Sequence, residues 1–144
     1  VSNDSENVHP NDDIDDFQPL AGLRVLVVDD DADNCNLIAF ILESAGAQVM
    51  MAASAVEALQ VMGQFEPNLL ISDIAMPEVD GYSLIRRVRT LDPPLGAIPA
   101  IAITAMDIQQ GGNLAFMSGF EAYLMKPVEP TELITEIIKL IELS

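Results

Sequence analysis

From Leu20 onward, short unbroken apolar runs alternate with longer runs of helical spacing. Leu23–Asp29 (LRVLVVD) is short, apolar and β-branched, the signature of a strand buried on both faces. Asp33–Ala45 follows with Leu37, Ile38, Ile41 and Leu42 on one side of a predicted helix, and Gly46 stands where a helix C-cap belongs. Gln48–Ala52 predicts a second strand. Ser54, with Glu57 three residues on, forms a capping-box signature that opens a helix carrying Val56, Leu59, Val61 and Met62. Pro67 leads into a third buried strand, Asn68–Asp73 (NLLISD). Tyr82–Leu91 predicts a helix with Leu84, Ile85 and Val88 inward and Arg86, Arg87 and Arg89 largely outward, ended by Pro93 and Pro94. Ile98–Thr104 is the fourth strand, and Asp107–Gly119 a weaker helix. Glu121–Met125 is the fifth strand, and Pro127 and Pro130 bracket the turn after it. Thr131–Leu143 is the last helix, with Leu133, Ile134, Ile137, Ile138 and Ile141 apolar.

Strands that alternate with helices of this length predict an α/β fold, a parallel sheet covered on both faces by right-handed crossovers. The 144 residues, half of them apolar, suffice for one domain with one core. Residues 1–19 differ: they carry Asp4, Glu6, Asp12, Asp13, Asp15 and Asp16 and neither Lys nor Arg, so they are expected to be a disordered acidic leader or interdomain linker, with the domain at 20–144.

Charge narrows the function. The chain has 23 acids against 6 bases, a net charge of −17. The bases are Arg24, Arg86, Arg87, Arg89, Lys126 and Lys139, too few to track a phosphate backbone or to hold an anionic membrane, so neither is an expected partner of this segment. Cys35 is the single cysteine and lies in a helical apolar pattern, which excludes an internal disulfide and favours packing over reactivity. No apolar run reaches the length of a membrane span and no signal peptide opens the sequence, so a cytoplasmic location is expected.

In an open parallel sheet, ligands bind beyond the carboxyl ends of the strands. Strand one runs out into Asp29, Asp30 and Asp31, strand three into Asp73, strand four into Thr104 and strand five into Lys126. Carboxylates gathered at one edge repel each other, and Mg²⁺ is the natural neutraliser of an oxygen-rich site. One aspartate could then act as nucleophile toward phosphorus while Lys126 and Thr104 contact the phosphoryl oxygens. Each residue alone has a plainer explanation. An Asp after a strand is commonly a turn former or helix cap, which is the expectation for Asp31 and, as cap, for Asp33. Thr104 suits a strand and Lys126 a solvated surface. It is the joint placement at strand ends that points to phosphoryl transfer.

The motifs VLVVDDD (25–31), LLISDIAMPEVDGYSLIRRVR (69–89), IPAIAITA (98–105) and YLMKPVEPTEL (123–133), in this order and spacing across about residues 22–142, resemble the receiver domain of two-component response regulators. The resemblance implies a flavodoxin-like (βα)5 doubly wound sandwich with strand order 2-1-3-4-5. It implies a non-enzymatic regulatory domain that accepts a phosphoryl group from a histidine kinase or histidine phosphotransfer protein, in a signalling chain or phosphorelay. Asp73 resembles the phospho-acceptor. Asp29 and Asp30 resemble the acidic pair that positions Mg²⁺, and Ala75 stands where a backbone carbonyl completes the metal shell. Lys126 resembles the lysine that contacts the phosphoryl group, and its bond to Pro127 is implied to be cis. Thr104 and Tyr123 resemble the switch pair; the plainer reading of Tyr123 is a half-buried strand aromatic that need not move. The surface formed by 107–119, 121–125 and 131–143 is implied to carry the signal, or a homodimer contact.

Local features qualify the resemblance. The resemblance implies that side chains two residues after Asp73 and after Thr104 influence access of the hydrolytic water; here these are the apolar Ala75 and Met106, so slow self-dephosphorylation is expected, and polar replacements there should change it. Gly111 and Gly112 each cost about 1 kcal/mol against alanine in a helix interior, so a soft helix is expected there. His9, the only histidine, lies in the leader without a helical bundle and is not an expected donor. The sequence ends with the last helix, so no output domain is expected. The acidic leader, the non-Met start and the phrase LAGLRVLVVDDD favour the C-terminal receiver of a hybrid histidine kinase over a free-standing regulator. Among rivals, a flavin binder needs a Ser/Thr/Gly-rich loop where DDDADN stands, and a dinucleotide binder needs G-x-G-x-x-G. A metal-dependent aspartyl-phosphate phosphatase is chemically closer, but it usually carries a second acid where this chain has Ala75.

Overall fold

A computed structural model describes residues 18–76, 80–105 and 119–143. The chain runs β1 (Arg24–Val28), α1 (Ala32–Ser44), β2 (Gln48–Ala52), α2 (Ala55–Phe65), β3 (Leu69–Asp73), α3 (Gly81–Val88), a 3-10 turn (Leu95–Ala97), β4 (Ala100–Thr104), β5 (Ala122–Met125) and α4 (Pro130–Leu143). All pairings are parallel and the strand order is β2-β1-β3-β4-β5. The doubly wound sheet expected from the alternation is therefore present, in the order 2-1-3-4-5.

Successive strand residues point to opposite faces, and each face has its own core. Leu26, Val28, Leu70, Ala100, Ala102 and Tyr123 pack with α2 and α3 through Ala58, Met62, Leu84, Ile85 and Val88. Val25, Val27, Leu69, Ile71, Ile101, Ile103 and Leu124 pack with α1 and α4 through Ile38, Leu42, Leu133 and Ile137. Burial on both faces is why the central strands read as continuous apolar runs rather than alternating ones. The fold is under way by Leu20, which is buried and donates its N–H to the Ala45 carbonyl at 2.9 Å.

The helix ends follow local chemistry, with one correction to the expected caps. Asp31, not Asp33, is the N-cap of α1: its carboxylate accepts from the N–H groups of Asp33 and Asn34, and Asp33 falls in the first turn. Gly46 follows the C-cap Ala45 with φ +102°, where a side chain would be strained. Ser54 caps α2 by accepting from Glu57 N–H at 3.1 Å, while Glu57 reaches back to Ala53 N–H at 2.5 Å, the reciprocal pairing the sequence suggested. α3 begins at Gly81, capped by Asp80, and ends at Val88, short of the predicted Leu91. A Cβ on Gly81 would lie 2.8 Å from Ile74 Cα, so only glycine lets α3 start this close behind the end of β3.

Two predicted placements are corrected. Leu37, grouped with Ile38, Ile41 and Leu42 on one side of its helix, is nearly half exposed, because the helix has one face on the sheet and Leu37 lies off it. Arg89, expected outward, folds back. It donates to the carbonyls of Gly96, Ile98 and Gly119 and pairs with Glu121 at 3.0 Å, tying the end of α3 to the start of β5. Met106 and the predicted helix 107–119 with Gly111 and Gly112 lie outside the described residues, apart from Gly119. His9 and the leader up to residue 17 lie outside them as well.

Candidate functional site

The carboxyl ends of β1, β3, β4 and β5 converge on four buried polar residues, Asp29, Ser72, Asp73 and Thr104, at the rim of an apolar core. Parallel register accounts for this: every strand ends at the same edge, and whatever follows each apolar run lands there. One carboxylate oxygen from each of Asp29, Asp30 and Asp73 lies within 4.8 Å of the others. Asp29 and Asp73 are only 2% and 4% exposed, whereas Asp30 faces solvent and leaves the cluster open on one side. A pocket of about 230 Å³ lined by Asp29, Asp30, Cys35, Met51 and Glu57 opens beside it.

Lys126, which follows β5, brings the one described cation into the cluster. Its Nζ lies 3.1 Å from Asp29 Oδ2 and 3.2 Å from Asp73 Oδ2, dividing one positive charge between two buried carboxylates. Its N–H donates to the Thr104 carbonyl at 2.8 Å, and its bond to Pro127 is cis, as the resemblance implied; Pro93–Pro94 is also cis, which the sequence did not indicate. Three further donors reach these carboxylates from described residues. Asp29 Oδ1 accepts from Asp31 N–H at 2.9 Å, Asp29 Oδ2 from Asn34 Nδ2 at 2.5 Å, and Asp73 Oδ1 from Ala75 N–H at 3.3 Å.

Electrostatics follow from this geometry. Burial, and then the charge of Asp29, hold the Asp73 carboxyl above its ordinary pKa, and the opposing pull of Lys126 and of the Ala75 N–H does not cancel them. Burial disfavours the charge on Lys126. Its hydrogen bond to Asp29 and the charges of Asp73 and Asp29 outweigh that, so its ammonium is held above the usual value. Burial and the nearby Asp29 charge push the Cys35 thiol up to about 11, which fits a packed, unreactive cysteine.

A hard divalent cation fits these residues on their donor chemistry. Three carboxylates against one shared ammonium leave uncompensated negative charge, the donors are all oxygen, and Asp30 keeps an open side. Thr104 ends β4 next to Asp73, and Tyr123 sits opposite Ala102, one strand away from Thr104 and two residues short of it on the same face. Tyr123 is buried against the α2–α3 core. The structure thus brings Asp29, Asp30, Asp73, Ala75, Thr104 and Lys126 to one edge, with Tyr123 behind it. Asp31 has gone to capping. Asn34, which sequence reasoning passed over, is part of the site. Its signal was a polar residue four positions before buried Ile38, on the inward stripe of α1.

A family model described as response regulator receiver domain matches residues 25–138. The chain is 50% identical over 118 residues to an uncharacterized 14.6 kDa protein in the sodA1 3′ region of Leptolyngbya boryana, covering 82% of this chain and 89% of that protein. It is 37% identical over 106 residues to the sensor histidine kinase RcsC of Escherichia coli (strain K12), covering 74% of this chain and 11% of that one. Among other curated relatives it spans 35% to 56% of their length. The crystal structure of a putative response regulator from Chloroflexus aurantiacus J-10-fl superposes with a TM-score of 0.77 at 36% identity, covering 83% of this chain and 98% of that one.

Proposed function

The chain belongs to the response regulator receiver domain family, and we propose that Asp73 is its acceptor residue. The domain is a phosphoacceptor of two-component signalling. Receiver domains work with histidine kinases or phosphotransfer proteins and generally bind Mg²⁺. The observation that carries the residue assignment is the position of Asp73, buried at the end of β3 within 3.2 Å of Lys126 Nζ and inside the three-carboxylate cluster.

In this reading an Asp73 carboxylate oxygen bonds to phosphorus while the phosphorus–nitrogen bond of a phosphohistidine breaks, leaving an acyl phosphate here and a histidine on the donor. Asp29, Asp30, Asp73 and the carbonyl of Ala75 would hold Mg²⁺. That ion supplies positive charge for the carboxylates and the transferring oxygens. Lys126 donates to a phosphoryl oxygen from the other side, and the Thr104 hydroxyl to another. Tyr123 then answers the movement of Thr104, which makes the pair the switch. The folded unit starts at about Leu20, with the acidic residues before it as leader or linker. A regulatory rather than enzymatic role fits Ala75, which offers no second acid for a phosphatase. No helix among the described residues is long and apolar enough to cross a membrane, and we place the domain in the cytoplasm beside its kinase. Two parent contexts have counterparts among the relatives: a small protein mostly covered by this chain, and a kinase of which it matches 11%. The motif phrase at the start of β1 favours the second.

Incubation with acetyl phosphate and Mg²⁺, followed by intact mass spectrometry, tests the assignment. The native protein is expected to gain one phosphoryl group and Asp73→Asn none. Equal labelling of Asp73→Asn would remove Asp73 as acceptor, and sustained release of phosphate from esters would favour the phosphatase alternative.

A further inference from the structure

Asp29 is gripped on both oxygens, and the two grips on Oδ2 differ in kind. Lys126 Nζ, at 3.1 Å, is shared with Asp73. Asn34 Nδ2, at 2.5 Å, has Asp29 as its partner and is anchored in the first turn of α1, whose N-cap Asp31 donates its own N–H to Asp29 Oδ1. A phosphoryl group on Asp73 would set new anionic oxygens against the same ammonium, and charge-assisted bonds to them would compete with Asp29 for it. The amide of Asn34 is under no such pull. It is also neutral, so it fixes the carboxylate without spending the negative charge that a cation needs.

We propose that Asn34 is a positioning residue: it holds Asp29 through Oδ2 in the orientation that receives a divalent cation, and it backs up Lys126 in that task. The inference rests on the reading of the acidic cluster as a Mg²⁺ site. It assigns a role to a side chain that neither the strand-end pattern nor the family motifs singled out. Outer partners of metal ligands commonly change affinity by about 10- to 100-fold when removed.

Isothermal titration of Mg²⁺ alone into the protein, without phosphodonor, tests it. Asn34→Ala and Asn34→Leu, which remove the donor with and without loss of volume, are expected to weaken Mg²⁺ binding about tenfold. Alanine is the best helix former, so α1 should survive, and native far-UV circular dichroism checks this. The discriminating readout is a double-mutant cycle with Lys126→Met. If both side chains hold the same oxygen, Asn34→Ala should cost at least about threefold more affinity in the Lys126→Met background than in the native one. Losses that simply multiply, or affinity within about twofold of native for both Asn34 variants, would overturn the proposal. Native protein that binds no Mg²⁺ would instead overturn the metal reading beneath it.

Discussion

At the amino edge of the sheet, Arg24 stacks 4.5 Å above the Phe65 ring and donates to the Phe65 carbonyl and to Gln48 Oε1, while its backbone N–H donates to Asn68 Oδ1. Every one of those acceptors is neutral. At the carboxyl edge of the same strands, Lys126 faces two buried carboxylates with a third beside them. Both edges are polar rims of the same sheet, and each uses one cation. The first is a closed structural joint, its donors matched to carbonyl and amide oxygens. The second sets three carboxylates against one ammonium, and burial together with the Asp29 charge holds the Asp73 carboxyl above its ordinary pKa. In the proposed reading the unbalanced edge is the working one, since perturbed buried carboxylates gather at functional sites.

Removing the two cations should separate the edges most sharply. Lys126→Met is expected to cut acetyl-phosphate labelling about a hundredfold. It should also lower metal-free stability at pH 7 by about 2 kcal/mol, below the range for fully buried pairs because Nζ is partly exposed. The raised pKa of Lys126 means that its contribution is complete below the unfolded lysine value and is lost only as pH rises through the folded one, so the deficit should be flat from pH 6 to 8. Urea melts at those pH values check it. Arg24→Met should cost about 1–2 kcal/mol through lost hydrogen bonds and ring stacking while labelling stays native. A loss of labelling beyond the loss of folded protein would break the distinction between the edges.

The smallest expected effect has the opposite sign. Since the folded state raises the Asp73 pKa, ionising this group favours unfolding; the penalty is absent below the ordinary carboxylate value, grows as pH rises and is complete above the raised value. Asp73→Asn should therefore raise the melting temperature of the metal-free protein at pH 7, by about a few degrees. The gain should vanish as pH falls toward the ordinary carboxylate range. Thermal melts in chelator across that range measure it, and a destabilised variant at pH 7 would contradict the assigned balance of charges.

How far the sequence could be read depends on what each feature answers to. β2 matches its predicted range to the residue, and the edge carrying Asp29, Asp73, Thr104 and Lys126 follows from apolar runs that end in polar groups, whereas the strand order came from the family resemblance alone. Asp33 was expected as the cap and Asp31 takes that place, because the choice turns on which one has extended backbone where α1 starts, and composition does not show it. Arg89 was misplaced because α3 stops one residue before it, so helical periodicity no longer governs its direction and three carbonyls from two connecting segments do. Gly81 was visible as a letter but not as a need, which lies in the approach of α3 to the end of β3. Asn34 was hidden for the same reason: its importance is a contact with Asp29, and sequence pattern shows faces rather than contacts.

The claim that the carboxyl edge is incomplete without a dication is tested most directly by the melting temperature of the native protein, first in chelator and then in increasing Mg²⁺. Binding that is confined to the folded cluster predicts a steady rise with the logarithm of Mg²⁺ concentration above the dissociation constant. A melting temperature that stays the same from chelator to saturating Mg²⁺ would contradict it.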